Sequence, residues 1–361
     1  MEIITHSQET NLAQDGESPY VLGCKYLADA EAGHSKLLVL YSDNTLTLYN
    51  SSLSKLASRR LEFGVSGYTV SADGVWAVSE AGQLTAFSLD ASLSEVCRLE
   101  TTLPLSCVCV SDDSSLLAVA THLHAQNESE ITELDQSDSS DDEEAEQSAS
   151  IIFYDSRFNK LQLLGTYQEC HSDDINCLCF QPNSHDWLAT GGSDGLINIF
   201  DLRQADEEDA LQQTLNLEAS VSTLGWFSIS GKWFLYAVSD DSKLAVWETQ
   251  SGDQLFRKSF DSFLVDCFAS NGALYTVASD NEGKLSFHCW KEEQKLQCVC
   301  EKWQSPHSDV VRALAWDCLS QTLTTGGEDG TVTTHSLRFS DDLKGKNIRK
   351  KRKLDRRSKP Y

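Results

Sequence analysis

Ten consecutive residues, 171 to 180, read HSDDINCLCF and set His171, Asp173, Asp174, Cys177 and Cys179 close together. Imidazole, carboxylate and thiolate are zinc-binding groups, so metal chemistry is the first to weigh. The chain carries its own control at residues 307 to 316, HSDVVRALAW, where His, Ser and Asp keep their offsets but Ala313 and Ala315 replace the two cysteines. The thiols are therefore dispensable to whatever recurs. The Cys-x-Cys pairs at 107/109, 177/179 and 298/300 put both thiols on one face of a strand, an arrangement expected of core packing. The C-x-x-C spacing of zinc sites is absent, so neither metal nor cofactor is expected. Phosphate-cradling, zinc-protease, nucleophile-elbow and EF-hand motifs are absent too, and Gly191-Gly192 before Ser193-Asp194-Gly195 reads as a hairpin turn. No catalysis is expected.

The two His-Ser-Asp stretches lie 136 residues apart, about three units of 45. Units of that size fill the chain, each with a short apolar strand, an acidic turn and an alternating strand. The turn segments are YSDNTLTLY (41 to 49), GGSDGLINIF (191 to 200), AVSDDSKLAVW (237 to 247), ASDNEGKLSFH (278 to 288) and GGEDGTVTTH (326 to 335). SEAGQLTAF (79 to 87) and SIIFY (150 to 154) are weaker copies, giving seven units. Their innermost strands are predicted to begin near Tyr20, Gly67, Cys107, Ile175, Val221, Leu264 and Val311. Period-two alternation, β-branched and aromatic residues and turn residues every eight to twelve positions predict strands. The expected fold is an all-β, seven-bladed β-propeller over 1–340, with an acidic disordered insertion (122–149) in blade three and a basic disordered tail (341–361). The last unit supplies only three strands before Leu337, so a fourth is expected from Glu2 to His6, ahead of a polar linker over 7–18.

The arrangement resembles the WD40 repeat family, whose signature is Gly-His before the innermost strand and Trp-Asp ending the third. Phe200-Asp201 and Tyr154-Asp155 stand where Trp-Asp would, and Cys170 and Pro306 replace the glycine. The resemblance implies a non-enzymatic propeller with a structural network of histidine, strand hydroxyl, turn aspartate and tryptophan in each blade. Carried over by position, His171, Thr190 and Asp194 form that network in blade four, with Phe200 in the tryptophan place. His307, Thr325 and Asp329 form it in blade seven, with His335 there. Phe200 has no N–H to donate, so the blade-four network is expected to stop one member short.

Net charge is −26 and unevenly spread. Residues 126 to 148 carry ten acids and no base, whereas the tail from 344 carries ten Lys or Arg against one acid, leaving −35 on the remainder. With the network aspartates set aside, Asp173, Asp174, Asp240, Asp280, Asp309 and Glu328 are expected to leave free negative charge at one end of the blades. A basic protein segment, histone-like or ribosomal, is the expected partner, attracted by electrostatic steering. The competing reading is that these acids only keep a large β protein soluble. Ser139 and Ser140 precede acids and read as phosphosites for an acid-directed kinase. Arg349, Lys350, Lys351, Arg352, Lys353, Arg356 and Arg357 match a nuclear import segment read by an import receptor, with RNA contact through the tail an added role. The expected location is nuclear, including the nucleolus, with a cytoplasmic share. No membrane association is expected, because no apolar run approaches the length of a membrane helix and the first residues lack a secretion signal. The expected function is a scaffold in ribosome assembly or chromatin work. The alternative is a substrate receptor of a cullin-RING ubiquitin ligase, resting on IFDLR (199 to 203) and FYDSR (153 to 157), in which Arg203 and Arg157 would contact the ligase adaptor.

Overall fold

The second strands of the repeats are buried on both faces, whereas the outermost strands keep many exposed residues. All four residues of Val75–Val78 and all seven of Ala273–Ser279 are buried, but outer strand Glu95–Glu100 buries none of its six completely. A strand packed on both faces by neighbouring sheets reads as a continuous apolar run, and one at a sheet's rim keeps a wet face. The computed structural model describes residues 1–10, 19–29, 34–123, 149–157, 161–204, 206–292 and 295–339. Its strands form seven four-stranded antiparallel sheets, an all-β, seven-bladed β-propeller. The single helix among the described residues is one turn, Glu207–Ala210.

Two compact units make up the chain. One holds blades one, six and seven (residues 1–60 and 260–361), the other blades two to five (61–259). Within the first, Val21, Leu37, Val39 and Tyr41 of blade one pack with Ala313, Ala315 and Val332 of blade seven. Within the second, Ala189, Ile197 and Ile199 of blade four pack with Leu224, Trp226 and Leu235 of blade five. Burial of a large apolar side chain is worth roughly 1.5–3 kcal/mol, so these inter-blade clusters are the main cohesive term inside each unit.

Innermost strands begin at Val21, Gly67, Leu105, Ile175, Val221, Phe263 and Val311, within two residues of expectation. Six of them show a register shift after their first or second residue, as at Ile175/Cys177 and Val311/Ala313. Blades with no histidine network share that irregularity, so the repeats are equivalent in backbone where their sequences have diverged.

The seventh blade takes its outer strand from the start of the chain. Residues Glu2–Thr10 pair antiparallel with Thr331–Arg338, from Glu2 opposite Arg338 to Thr10 opposite Thr331. The strand runs four residues beyond the expected end at His6, into the stretch expected to be linker. A rim strand is held by backbone hydrogen bonds and needs no apolar alternation, so polar residues there disguise it.

Blade three breaks between its second strand, Leu116–Thr121, and its third, Ala149–Asp155, as expected of the acidic insertion. The insertion is narrower than 122–149: Leu123 N–H donates to Asp174 Oδ1 (2.6 Å), and Ala149 is fully buried. Its interior, with Ser139 and Ser140, lies outside the described residues. So does the tail with Arg349, Lys350, Lys351, Arg352, Lys353, Arg356 and Arg357.

Candidate functional site

His171 ends the outer strand of blade three, where the chain passes to blade four; Thr190 lies mid-strand in Trp187–Gly192 and Asp194 in the following turn. His171 Nδ1 faces both Asp194 oxygens (3.1 and 3.0 Å), and Nε2 meets the Thr190 hydroxyl (2.7 Å). Asp194 also accepts the Leu196 amide (2.9 Å) and the Ser172 amide (3.2 Å), so the turn is tied to the strand entering the blade. In blade seven His307 Nδ1 lies 3.3 Å from Asp329 Oδ1 and Nε2 lies 2.9 Å from Thr325 Oγ1. There the chain continues, because Thr325 Oγ1 meets His335 Nε2 at 3.0 Å. His335 is itself set edge-on to the Trp303 ring at 5.0 Å.

Burial raises the Asp194 and Asp329 carboxyls, but the histidine contacts and backbone amides outweigh it and hold both below the ordinary value. These imidazoles are committed to internal partners in buried positions, which leaves them nothing to offer a substrate. Cys177 Sγ meanwhile faces the Gly191 carbonyl and Cys179 Sγ the Phe180 carbonyl. The HSDDINCLCF stretch thus does not converge. Among the described residues, no three His, Cys, Asp or Glu side chains gather as metal ligands would.

Gly191 and Gly192 end a strand instead of making the turn. A Cβ on Gly192 would come within 2.6 Å of His171 Nδ1 and 2.7 Å of Asp194 Oδ1, and one on Gly327 within 2.7 Å of Asp329 Oδ1 and 2.8 Å of His307 Nδ1. The second glycine of each pair makes the space that the His–Asp contact occupies. The turn itself is made by Gly195 and Gly330, whose φ of 79° and 72° lie in the left-handed region that favours glycine.

Phe200 is fully buried, 5.3 Å from the Tyr167 ring, and packs as a hydrophobe. Blade four has a second tie that sequence reasoning missed. Asn198, opposite Thr190, donates to the Cys170 carbonyl and accepts from Thr214 Oγ1 (2.7 Å). An amide inside an otherwise apolar strand was the available signal.

Two of the Cys-x-Cys pairs lie inside their blades: Cys107 and Cys109 are buried, and Cys177 and Cys179 partly so. The third departs from expectation, because Cys298 is exposed. Cys298 pairs with His288 and Cys300 with Phe287, so Val299 forms a bulge that turns the two thiols to opposite faces. Burial pushes the Cys170 thiol up to about 12 and raises Cys24 and Cys267 as well, the opposite of what a nucleophilic thiolate requires.

The six acids expected to be free occupy the His–Asp ends of their own blades, but only some are free. Glu328 pairs with Arg312, cancelling its charge. Asp174 is engaged by the Leu123 amide and by His122 Nδ1 (3.3 Å), fastening the root of the insertion. Asp280 caps the amides of Glu282 and Lys284, and Asp309 that of Val310. Asp173 and Asp240 are exposed. Asp173 caps the Asp174 amide, whereas the Asp240 carboxylate has no hydrogen-bond partner among the described residues. Backbone caps leave a carboxylate's charge in place, so Asp173, Asp240, Asp280 and Asp309 still present it.

Arg157 and Arg203 share one local geometry. Each forks onto the aspartate two residues earlier: Arg203 Nε and Nη2 lie 2.8 and 2.7 Å from Asp201, and Arg157 Nε lies 3.0 Å from Asp155. Arg203 also stands over the Trp187 ring at 5.8 Å.

The His–Thr–Asp geometry, repeated at one place in two blades, decides the repeat type. The chain carries WD40 repeats. The model of the WD domain, G-beta repeat, matches residues 161–201 and 297–333, which hold both His–Thr–Asp contacts. The chain is similar to the WD repeat-containing protein 89 homolog of Dictyostelium discoideum, 23% identical over 212 residues that cover 53% of this chain and 59% of that one. It is also similar to WD repeat-containing protein GTS1 of Arabidopsis thaliana, 22% identical over 214 residues covering 50% and 52%. The chain thus spans little more than half the length of these curated relatives. A chain in a crystal structure of the mitotic checkpoint complex superposes with a TM-score of 0.66 over 92% of this chain and 94% of its own, at 15% identity, and so shares the fold. WD40 propellers are in general protein-interaction scaffolds without catalytic activity.

Proposed function

We propose that this WD40 protein is a non-catalytic nuclear scaffold that docks basic protein segments on the acidic ends of its blades, in work such as ribosome assembly or chromatin handling. One observation carries the reading: Asp173, Asp240, Asp280 and Asp309 sit at the turn ends of their blades with their charge uncancelled. The acidic insertion leaves blade three between its second and third strands, in the same unit as Asp173 and Asp240, and carries ten acids. Phosphorylation at Ser139 and Ser140 would add about −1.5 to −2 charges per site. A lysine-rich peptide of about twenty residues, followed by fluorescence anisotropy across a salt series, tests the docking. Changing Asp173, Asp240 and Asp309 together to Asn is expected to weaken binding about tenfold at low salt and flatten the salt slope. Unchanged affinity and slope would sink the docking claim.

The tail supports import. Replacing Arg349 to Lys353 by alanine is expected to move a fluorescently tagged chain from nucleus to cytoplasm, and an unaltered distribution would remove the nuclear assignment. In the ligase-receptor reading, Arg157 and Arg203 would contact the adaptor. Their forks onto Asp155 and Asp201 already give both arginines an intramolecular role, so the scaffold reading is preferred.

A further inference from the structure

At the end of blades four and five opposite the His–Asp turns, a cleft of about 540 Å³ opens between the two sheets. Trp187, Trp226, Trp233, Gln213, Glu248 and Thr249 line it. Trp226 donates its indole N–H to the Cys179 carbonyl (3.0 Å) and is fixed in place, while Trp187 and Trp233 are partly exposed against the inter-blade cluster. Gln213 donates to the Thr249 carbonyl (2.7 Å), and its Oε1 is buried with no partner among the described residues. That oxygen is closed to solvent and lies beside the Gly252 turn, so it is not offered to the cleft.

Three indoles and a carboxylate share one chemical complement. It is a planar cation with several N–H donors and an apolar stem. The Trp187 ring already takes one guanidinium, that of Arg203, at 5.8 Å. An ammonium ion fits less well, because it is more strongly hydrated and cannot stack on an indole while donating along two directions. The volume exceeds what one side chain fills and leaves room for the flanking backbone of an extended segment. Lys232 Nζ now lies 3.6 Å from Glu248 Oε1, so an incoming cation must compete with it.

We infer that this cleft receives an arginine side chain from an extended partner segment, stacked on the tryptophans and held by Glu248. The site is separate from the acidic blade ends and does not depend on their function.

The test titrates the full chain with the peptide acetyl-Gly-Arg-Gly-Arg-Gly-amide and with its lysine and citrulline counterparts. Indole N–H resonances, assigned by single Trp→Phe changes, report binding. The arginine peptide is expected to shift the Trp187 and Trp233 signals, with the citrulline and lysine peptides binding at least about tenfold more weakly. Glu248→Gln should weaken the arginine peptide about tenfold, and Lys232→Ala should tighten it about threefold. Asp173→Asn with Asp240→Asn should leave it unchanged, which separates this site from the acidic ends. Equal binding of the citrulline or lysine peptide, indifference to both Glu248→Gln and Lys232→Ala, or loss of the shifts in the Asp173/Asp240 variant would each overturn the inference. Because Lys232→Ala removes only a rim side chain, a gain of affinity remains readable even if Glu248→Gln does not fold.

Discussion

Blades four and seven carry the same His–Thr–Asp contact, yet they are built and braced differently. Blade four is contiguous in sequence, closes its network at Thr190, and adds Asn198 as a separate tie to the Cys170 carbonyl. Blade seven draws its outer strand from the other end of the chain and extends its network by one member, from Thr325 to His335. One signature therefore does not mean one energetic design. What matters is how many partners each buried hydroxyl retains when one is lost.

The largest difference should come from the outer strand. A chain starting at Ser18 loses the Glu2–Thr10 pairing and bares the edge of Thr331–Arg338, at a cost on the order of 5 kcal/mol or outright aggregation. Thermal unfolding measures it, and an unchanged melting temperature would refute the closure of blade seven by the first strand.

The histidines come next, and the ranking runs against the longer network. His171→Ala strips Thr190, a fully buried hydroxyl, of the partner it has, because Phe200 has no donor; about 3 kcal/mol should be lost. His307→Ala leaves Thr325 bonded to His335 and should cost nearer 2 kcal/mol. The reverse order in denaturant unfolding would mean that the fourth member gives blade seven no reserve. The pH dependence belongs to the same contacts. Asp194 and Asp329 have lowered folded values, so their contribution is fully present above the ordinary carboxylate value of about 4 and is lost as pH falls through the folded values. Asp194→Asn together with Asp329→Asn should flatten the stability–pH curve below about 4. A slope as steep as the parent's would place the acid sensitivity elsewhere.

The smallest change sharpens the comparison most. His335→Phe gives blade seven the same short network as blade four and should cost about 1 kcal/mol alone. In a His307→Ala background it should cost more, since Thr325 then loses both partners. Strict additivity in that cycle would show that the two histidines do not share the hydroxyl.

Seven strand-rich units and the positions of the histidine networks were legible because both are local signals. Apolar alternation sets strands within five or six residues, and His, Thr and Asp recur at fixed offsets in stretches 136 residues apart. Phe200, as expected, adds no donor. The pairing of Glu328 and the engagement of Asp174 were not legible, because Arg312 and His122 approach them only across folded turns. Cys298 was misread for the same reason, since a bulge is decided by pairing with the neighbouring strand.

The order of residues alone determined that this chain makes radial four-stranded repeats with internal histidine struts, since hydrophobic period and short-range offsets suffice for that. Tertiary structure decided the rest. It stretched the first strand to Thr10, made Gly192 and Gly327 necessary as space for a His–Asp contact, and brought Trp187, Gln213 and Glu248 to the walls of one cleft. Each of these depends on the meeting of strands far apart in the chain. Such meetings are fixed by packing and backbone pairing, which a one-dimensional pattern does not encode.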